Sequence, residues 1–201
     1  MSIMVHSNPS GAVPHQVMLK DNSSLIYWVL ITKAADYTLV IDLAGAGAHA
    51  QVYIFCLVDG TDTVRIKTVQ NHISAHTTSQ VLVQAALFER AVLHYTGTIS
   101  IANGADQAHA IMYHKNILMS DTTRVQSVPS LQVLANNVTC KHGSAMGTLN
   151  ADQLFYMQSR ALPVTVAKKL LLTGFFAQLL HADSPQEIVD GLSQKIEGVL
   201  L

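Results

Sequence analysis

Residues 138–160, VTCKHGSAMGTLNADQLFYMQSR, divide the chain into two unlike parts. Upstream, short runs rich in Val, Ile, Tyr and Thr follow one another, among them 17–19, 25–31, 37–43, 50–57, 64–69, 78–84 and 109–113. Many alternate apolar with polar residues, the mark of a strand with one buried face. In VRIKTV, Val64, Ile66 and Thr68 face one way, and Arg65, Lys67 and Val69 the other. Turn signals separate the runs: Asp21-Asn22, Ala44-Gly45-Ala46-Gly47, Asp59-Gly60, Asn103-Gly104 and Asn136-Asn137. Residues 87–90 read as strand or corner. Within the dividing stretch, Val138 to Cys140 reads as a strand end and Gly143 to Gly147 as a turn.

Downstream the pattern is helical. Asn150 is a good N-cap before ADQLFYMQSRAL, with Asp152 placed for the first turn. Pro163 opens PVTVAKKLLLTGFFAQLL, and Ser184-Pro-Gln-Glu187 has the form of a capping box before a last amphipathic helix bearing Ile188, Leu192 and Ile196. The middle helix is apolar around much of its circumference. That is more surface than one end of a β domain covers, so part of it needs another protein or another helix of the chain.

The strands recur without helices between them, which excludes a βαβ protein. A sandwich, a barrel and a β-solenoid remain. The small-residue corner AGAGAHA, the polar cluster NHISAHTTSQ and the need of a solenoid for one narrow apolar interior favour the last. The expected organisation is a lead-in over 1–16, carrying Pro9, Gly11 and Pro14, a β-helix core over 17–149, and a helical region over 150–201.

The 201 residues are 49% hydrophobic and only 12% charged, about half the usual share of charge. That excludes disorder and calls for a large buried fraction or faces covered by partners. A net charge of −1 carries no nucleic-acid footprint. The start MSIMVHSNPSGAVPHQ lacks the basic and apolar regions of a signal peptide, and the apolar runs are too short or interrupted to span a bilayer. A cytoplasmic protein without a membrane partner is expected. Two cysteines, Cys56 and Cys140, make no disulfide framework, and Cys56 within VYIFCLV reads as a small core residue.

Cys140 and His142 stand two apart, so a strand points both to one face. A thiolate and an imidazole there suit iron or an iron–sulfur centre, but two ligands do not complete a site. The bland alternative is a buried thiol beside a hydrogen-bonded histidine. A Cys–His nucleophile would need an orienting Asn or Asp and an oxyanion hole, whereas Asn136 and Asn137 read as turn residues. His72 and His76 do not sit on a helix, so they form no HExxH zinc motif. AGAGAHA lacks the dinucleotide-binding spacing, and no Walker A motif is present. No enzymatic activity is expected, and a β-helix enzyme acting on polysaccharide lacks a groove of acidic or basic residues.

The stretch from Val138 to Leu180 resembles the carboxy-terminal signature of the SufB/SufD proteins of the SUF iron–sulfur cluster assembly system. The matching features are Cys140 two before His142, Gly143-Ser144-Ala145, Gly147, Leu154-Phe155-Tyr156 and Ser159-Arg160, with GAGAHAQV, NHISAHTTSQVL, YTGTISI and KNILMS upstream. The resemblance implies a right-handed parallel β-helix followed by a C-terminal α-helical region. It implies pairing through the β-helix with a SufB-type subunit or a second copy, and docking of a SufC-type ATPase through the helical end, at Leu154, Phe155, Tyr156, Ser159 and Arg160. It implies a transient iron–sulfur cluster or iron at a subunit interface, with His142 and Cys140 facing it and nothing tightly bound by the isolated chain. Val133 occupies the place of the SufB cysteine, and Cys140-Lys141-His142-Gly143 replaces the SufB Glu-His-Glu, so the likeness is closer to SufD. A minimal chain without the usual helical N-terminal domain is expected, and Arg160-Ala161 stands where the family has Arg-Gly. The competing reading is a homodimeric β-helix protein with a structural or regulatory binding role and no cluster assembly.

Overall fold

The computed structural model describes residues 1–9 and 14–200. Eleven strands come first: β1 (Ser2–Ser7), β2 (His15–Leu19), β3 (Ser24–Ile31), β4 (Ala35–Leu43), β5 (His49–Val58), β6 (Thr63–His72), β7 (Thr78–Leu87), β8 (Val92–Ile101), β9 (His109–Leu118), β10 (Arg124–Val133) and β11 (Thr139–Thr148). Three helices follow: α1 (Ala151–Ser159), α2 (Val164–Ala177) and α3 (Gln186–Leu200). The odd strands stack as one sheet, β1-β3-β5-β7-β9-β11, and the even strands as another, β10-β8-β6-β4-β2. All pairings are parallel and join each strand to the one two before it. The chain thus crosses between sheets and returns one layer higher with each coil. This is the parallel β-solenoid expected from the sequence, and it removes the sandwich and the barrel.

Coils of different sequence stay in register because their corners repeat a conformation. Asn22, Gly47, His76 and Gln107 all have positive φ. Each N–H donates to a carbonyl one coil on, at Ala46, Ala75, Asp106 and Asn137. The corner therefore carries the parallel ladder around the bend, satisfying backbone groups that a buried corner would leave unpaired. Gly45 permits the closest approach: a Cβ there would lie 2.0 Å from the Asp21 nitrogen of the neighbouring coil.

The inner faces of the strands form one lumen core, with Leu25, Tyr27, Ala50, Val52, Val81, Leu93 and Tyr95 among its buried residues. The outer face of the even sheet is polar, as the alternating burial of β6 records. The outer face of the odd sheet is apolar. Trp28, Leu30, Tyr53, Phe55, Leu57 and Phe88 there pack against Leu172 and Phe176 of α2 and Ile188, Leu192 and Ile196 of α3. One side of α2 is thus met along the flank of the solenoid rather than at its end, while Val164, Val166 and Leu170 stay exposed. Lys195 on α3 pins this arrangement with a 2.8 Å ion pair to Asp59.

Three local expectations change. The lead-in contains β1, which pairs with β3 from Ser2 on Leu25 to Ser7 on Leu30, while its Gly11 lies outside the described residues. The Gly143–Gly147 turn is strand: β11 continues unbroken against β9 to Thr148 on Leu118. Ser184 Oγ accepts from the His181 N–H at 2.9 Å, a contact that looks back from α3 rather than into it. The Asn150 cap is as expected, its side chain accepting from the Gln153 N–H at 3.0 Å.

Candidate functional site at the open end of the solenoid

β11 and β10 are the last strands of their sheets, so the coil they form has no layer above it. Cys140 lies in register with Ala110, and His142 with Met112, two residues of the lumen core. Both side chains therefore belong to the inner row of β11, and Lys141 and Gly143 to its outer row. Gly143 is demanded by Tyr113 of β9, whose ring carbons would stand 2.5 Å from any Cβ at that position.

Cys140 is half-buried against the lumen core, and burial pushes its thiol above the ordinary range. His142 is exposed. Cys56 is wholly buried and pushed up to about 12, a neutral core thiol. Among the described residues no group of three or more His, Cys, Asp or Glu side chains is arranged to hold a metal ion. Cys140 and His142 thus stand as a pair, with no third side chain of these types arranged beside them among the described residues.

The rim of the mouth is apolar. Leu131 and Val133 continue the inner row of β8 above Ile99 and Ile101, yet each is 40% exposed, and Met146 on β11 is 51% exposed. Buried side chains of the coil below are thereby followed by equivalent side chains that reach solvent.

Beneath the mouth the lumen turns polar. His114 on β9 lies 3.1 Å from Ser127 Oγ on β10 through Nδ1, and its ring packs 4.4 Å from that of Tyr95. Burial pushes this imidazole down to about 4, so it is neutral at neutral pH. Tyr95 in turn exchanges a 2.9 Å hydrogen bond with Thr68. Deeper, His72 bridges Thr77 at 2.8 Å and Ser79 at 2.7 Å, and Ser79 donates to Gln70 at 2.6 Å. His114, Asn116 and Ser127 were not singled out in the sequence. Their signal is the alternation in HAIMYHKNIL, which puts His114 and Asn116 in the same inward row as Ala110 and Met112.

On the helical side, α1 buries none of its residues, and it exposes Phe155 (73%) and Tyr156 (60%). The Arg160 guanidinium lies 5.4 Å from the centre of the Tyr156 ring, and Ser159 Oγ donates to the Tyr156 carbonyl at 2.7 Å. Leu154 instead turns toward a recess shared with Leu118, Met119 and Lys168. The candidate docking residues thus lie on a different element from the Cys140–His142 pair, separated from it by the rest of β11.

These features define a class: a parallel β-solenoid with a helical flank, carrying a thiol and an imidazole at an unfinished end. The chain belongs to the SUF system FeS cluster assembly family, whose SufBD core domain model matches residues 8–175. It is 25% identical over 136 residues to the iron-sulfur cluster assembly protein SufD of Escherichia coli, covering 66% of this chain and 32% of that protein. It is 23% identical over 194 residues to an iron-sulfur cluster assembly SufBD family protein of Mycobacterium leprae, covering 91% and 49%. Protein ABCI7, chloroplastic, of Arabidopsis thaliana is 29% identical over 106 residues, covering 53% and 22%. The chain spans at most about half the length of these relatives. No helix among the described residues is long and apolar enough to cross a membrane.

Proposed function

We propose that this chain is a SufD-like scaffold subunit rather than an enzyme. It pairs through the open end of its solenoid with a SufB-type subunit or a second copy of itself, and docks a SufC-type ATPase through α1. Iron or a nascent iron–sulfur cluster is the cargo, held at the subunit interface with His142 and Cys140 facing it. The observation that carries this reading is the unfinished coil. A free strand edge with apolar inner-row residues at its rim is a surface that proteins cover, and the thiol–imidazole pair opens onto it. The exposed Phe155–Tyr156 face of α1, stiffened by Arg160, supports the second contact. Val133, where a SufB protein carries a cysteine, supports the SufD assignment.

Co-expression with a SufB-type and a SufC-type partner tests the proposal. The complex should purify together. Val133→Asp should remove the SufB-type partner, and Tyr156→Ser the ATPase. A chain that stays alone with every partner combination overturns it and favours the homodimeric binding protein without assembly activity.

A further inference from the structure

The inner row of β9 ends in two buried polar side chains with unmatched atoms. His114 is 1% and Asn116 4% exposed, and neither His114 Nε2 nor Asn116 Oδ1 has a hydrogen-bond partner. Unpaired polar atoms are costly to keep in a core. They sit in the coil immediately beneath the mouth, where the lumen is nearest to solvent.

The imidazole of His114 is held in place. Ser127 Oγ lies 3.1 Å and Asn116 Nδ2 3.5 Å from Nδ1, and Tyr95 packs against the ring. Nε2, at the other end of the ring, is turned away from both polar neighbours. In the strand above, Ser144 stands in register with His114, so only a small side chain covers it. The next inner position of β11 is His142, in register with Met112. His114 and His142 are thus diagonal neighbours on one sheet face, a relation that puts their backbones roughly 7–8 Å apart. An ion about 2 Å from each imidazole nitrogen spans that separation.

We infer that His114 and His142 together form a two-imidazole site for a divalent transition-metal ion of the ferrous class, with His114 as the inner ligand and Asn116 and Ser127 as its positioning residues. The inference rests on the proposed cargo-facing role of His142. Imidazole donors without a carboxylate select borderline ions over calcium or magnesium. Cys140 lies further along the row, over Ala110, and is left outside this ion site.

Anaerobic titration of the full chain with Co(II), a spectroscopic stand-in for ferrous iron, tests the inference. Visible ligand-field absorbance gives the affinity, and assigned imidazole ¹⁵N resonances show which rings respond. Both His114 and His142 resonances should move in the wild-type chain, and Lys141→Ala, on the outer row of β11, should leave the affinity unchanged. His142→Ala and His114→Leu should each weaken binding by about tenfold or more. Wild-type affinity in His114→Leu, or a His114 resonance that stays put while that of His142 moves, overturns the inference. Should His114→Leu not fold, the wild-type resonances decide alone. The two readings fail separately: absence of co-purification strikes the scaffold proposal, and an unresponsive His114 strikes only the ion site.

Discussion

Gly45→Ala asks whether the coils stack as closely as the corner geometry requires. The added Cβ would lie 2.0 Å from Asp21 N, 2.2 Å from the Lys20 carbonyl carbon and 2.6 Å from Asp21 Cα, all backbone atoms. No rotamer change relieves such a contact, so one coil must retreat by well over an ångström. That movement pulls on the Gly45 and Ala44 N–H groups, which both donate to the Leu19 carbonyl at 2.9 and 3.0 Å, and on the 2.9 Å bond from Asn22 N–H to the Ala46 carbonyl. Overpacking costs about 1–3 kcal/mol, and each backbone bond lost about 1 kcal/mol. A destabilisation of roughly 3 kcal/mol results, read from urea unfolding followed by circular dichroism at unchanged slope. Gly174→Ala is the control: a Cβ there meets nothing within 4 Å, and the helix should gain about 1 kcal/mol. A Gly45→Ala midpoint equal to that of wild type would refute the stacking argument.

Further outcomes follow from individual residues. Ala161, just past α1, has φ +60°, a conformation that favours glycine; Ala161→Gly should raise stability by about 1 kcal/mol in the same unfolding assay. Burial, reinforced by nearby His109, pushes His72 down to about 4. The unfolded chain then takes up a proton that the folded chain refuses, so stability is full above about pH 6.5 and falls on acidification toward pH 4, by on the order of 3 kcal/mol. Urea midpoints across that range should show the fall, to which buried His114, likewise pushed down to about 4, also contributes, and His72→Gln should remove only its own share. A maleimide should label Cys140 in the native chain and reach Cys56 only after denaturation, as mass spectrometry of digested protein would report.

The solenoid was legible because its constraint is local and repeated: alternation in 64–69, small residues at 44–47 and polar residues at 71–80 each mark a strand or a corner. What escaped was set by contacts distant in sequence. Gly-Ser-Ala-Met-Gly has turn composition, yet ten residues of pairing with β9 hold it as strand, and Gly143 is there for the ring of Tyr113. β1 was hidden beside Pro9, and only its pairing with β3 orders it. The place of α2 was half visible. LIYWVLI and VYIFCLV are apolar on both faces, as strands covered on both sides must be. For the site, the spacing of Cys140 and His142 indicated a shared face, whereas His114 is recognised only when its coil is seen below theirs.

The most direct test of the account is the iron and sulfide content of the complex purified anaerobically after co-expression with SufB-type and SufC-type partners. The account predicts a cluster absorbance band with matching iron and sulfide, lost in His142→Ala while the subunits still purify together, and retained in Lys141→Ala, whose side chain lies on the outer row. A complex of His142→Ala with wild-type iron and sulfide content would contradict it.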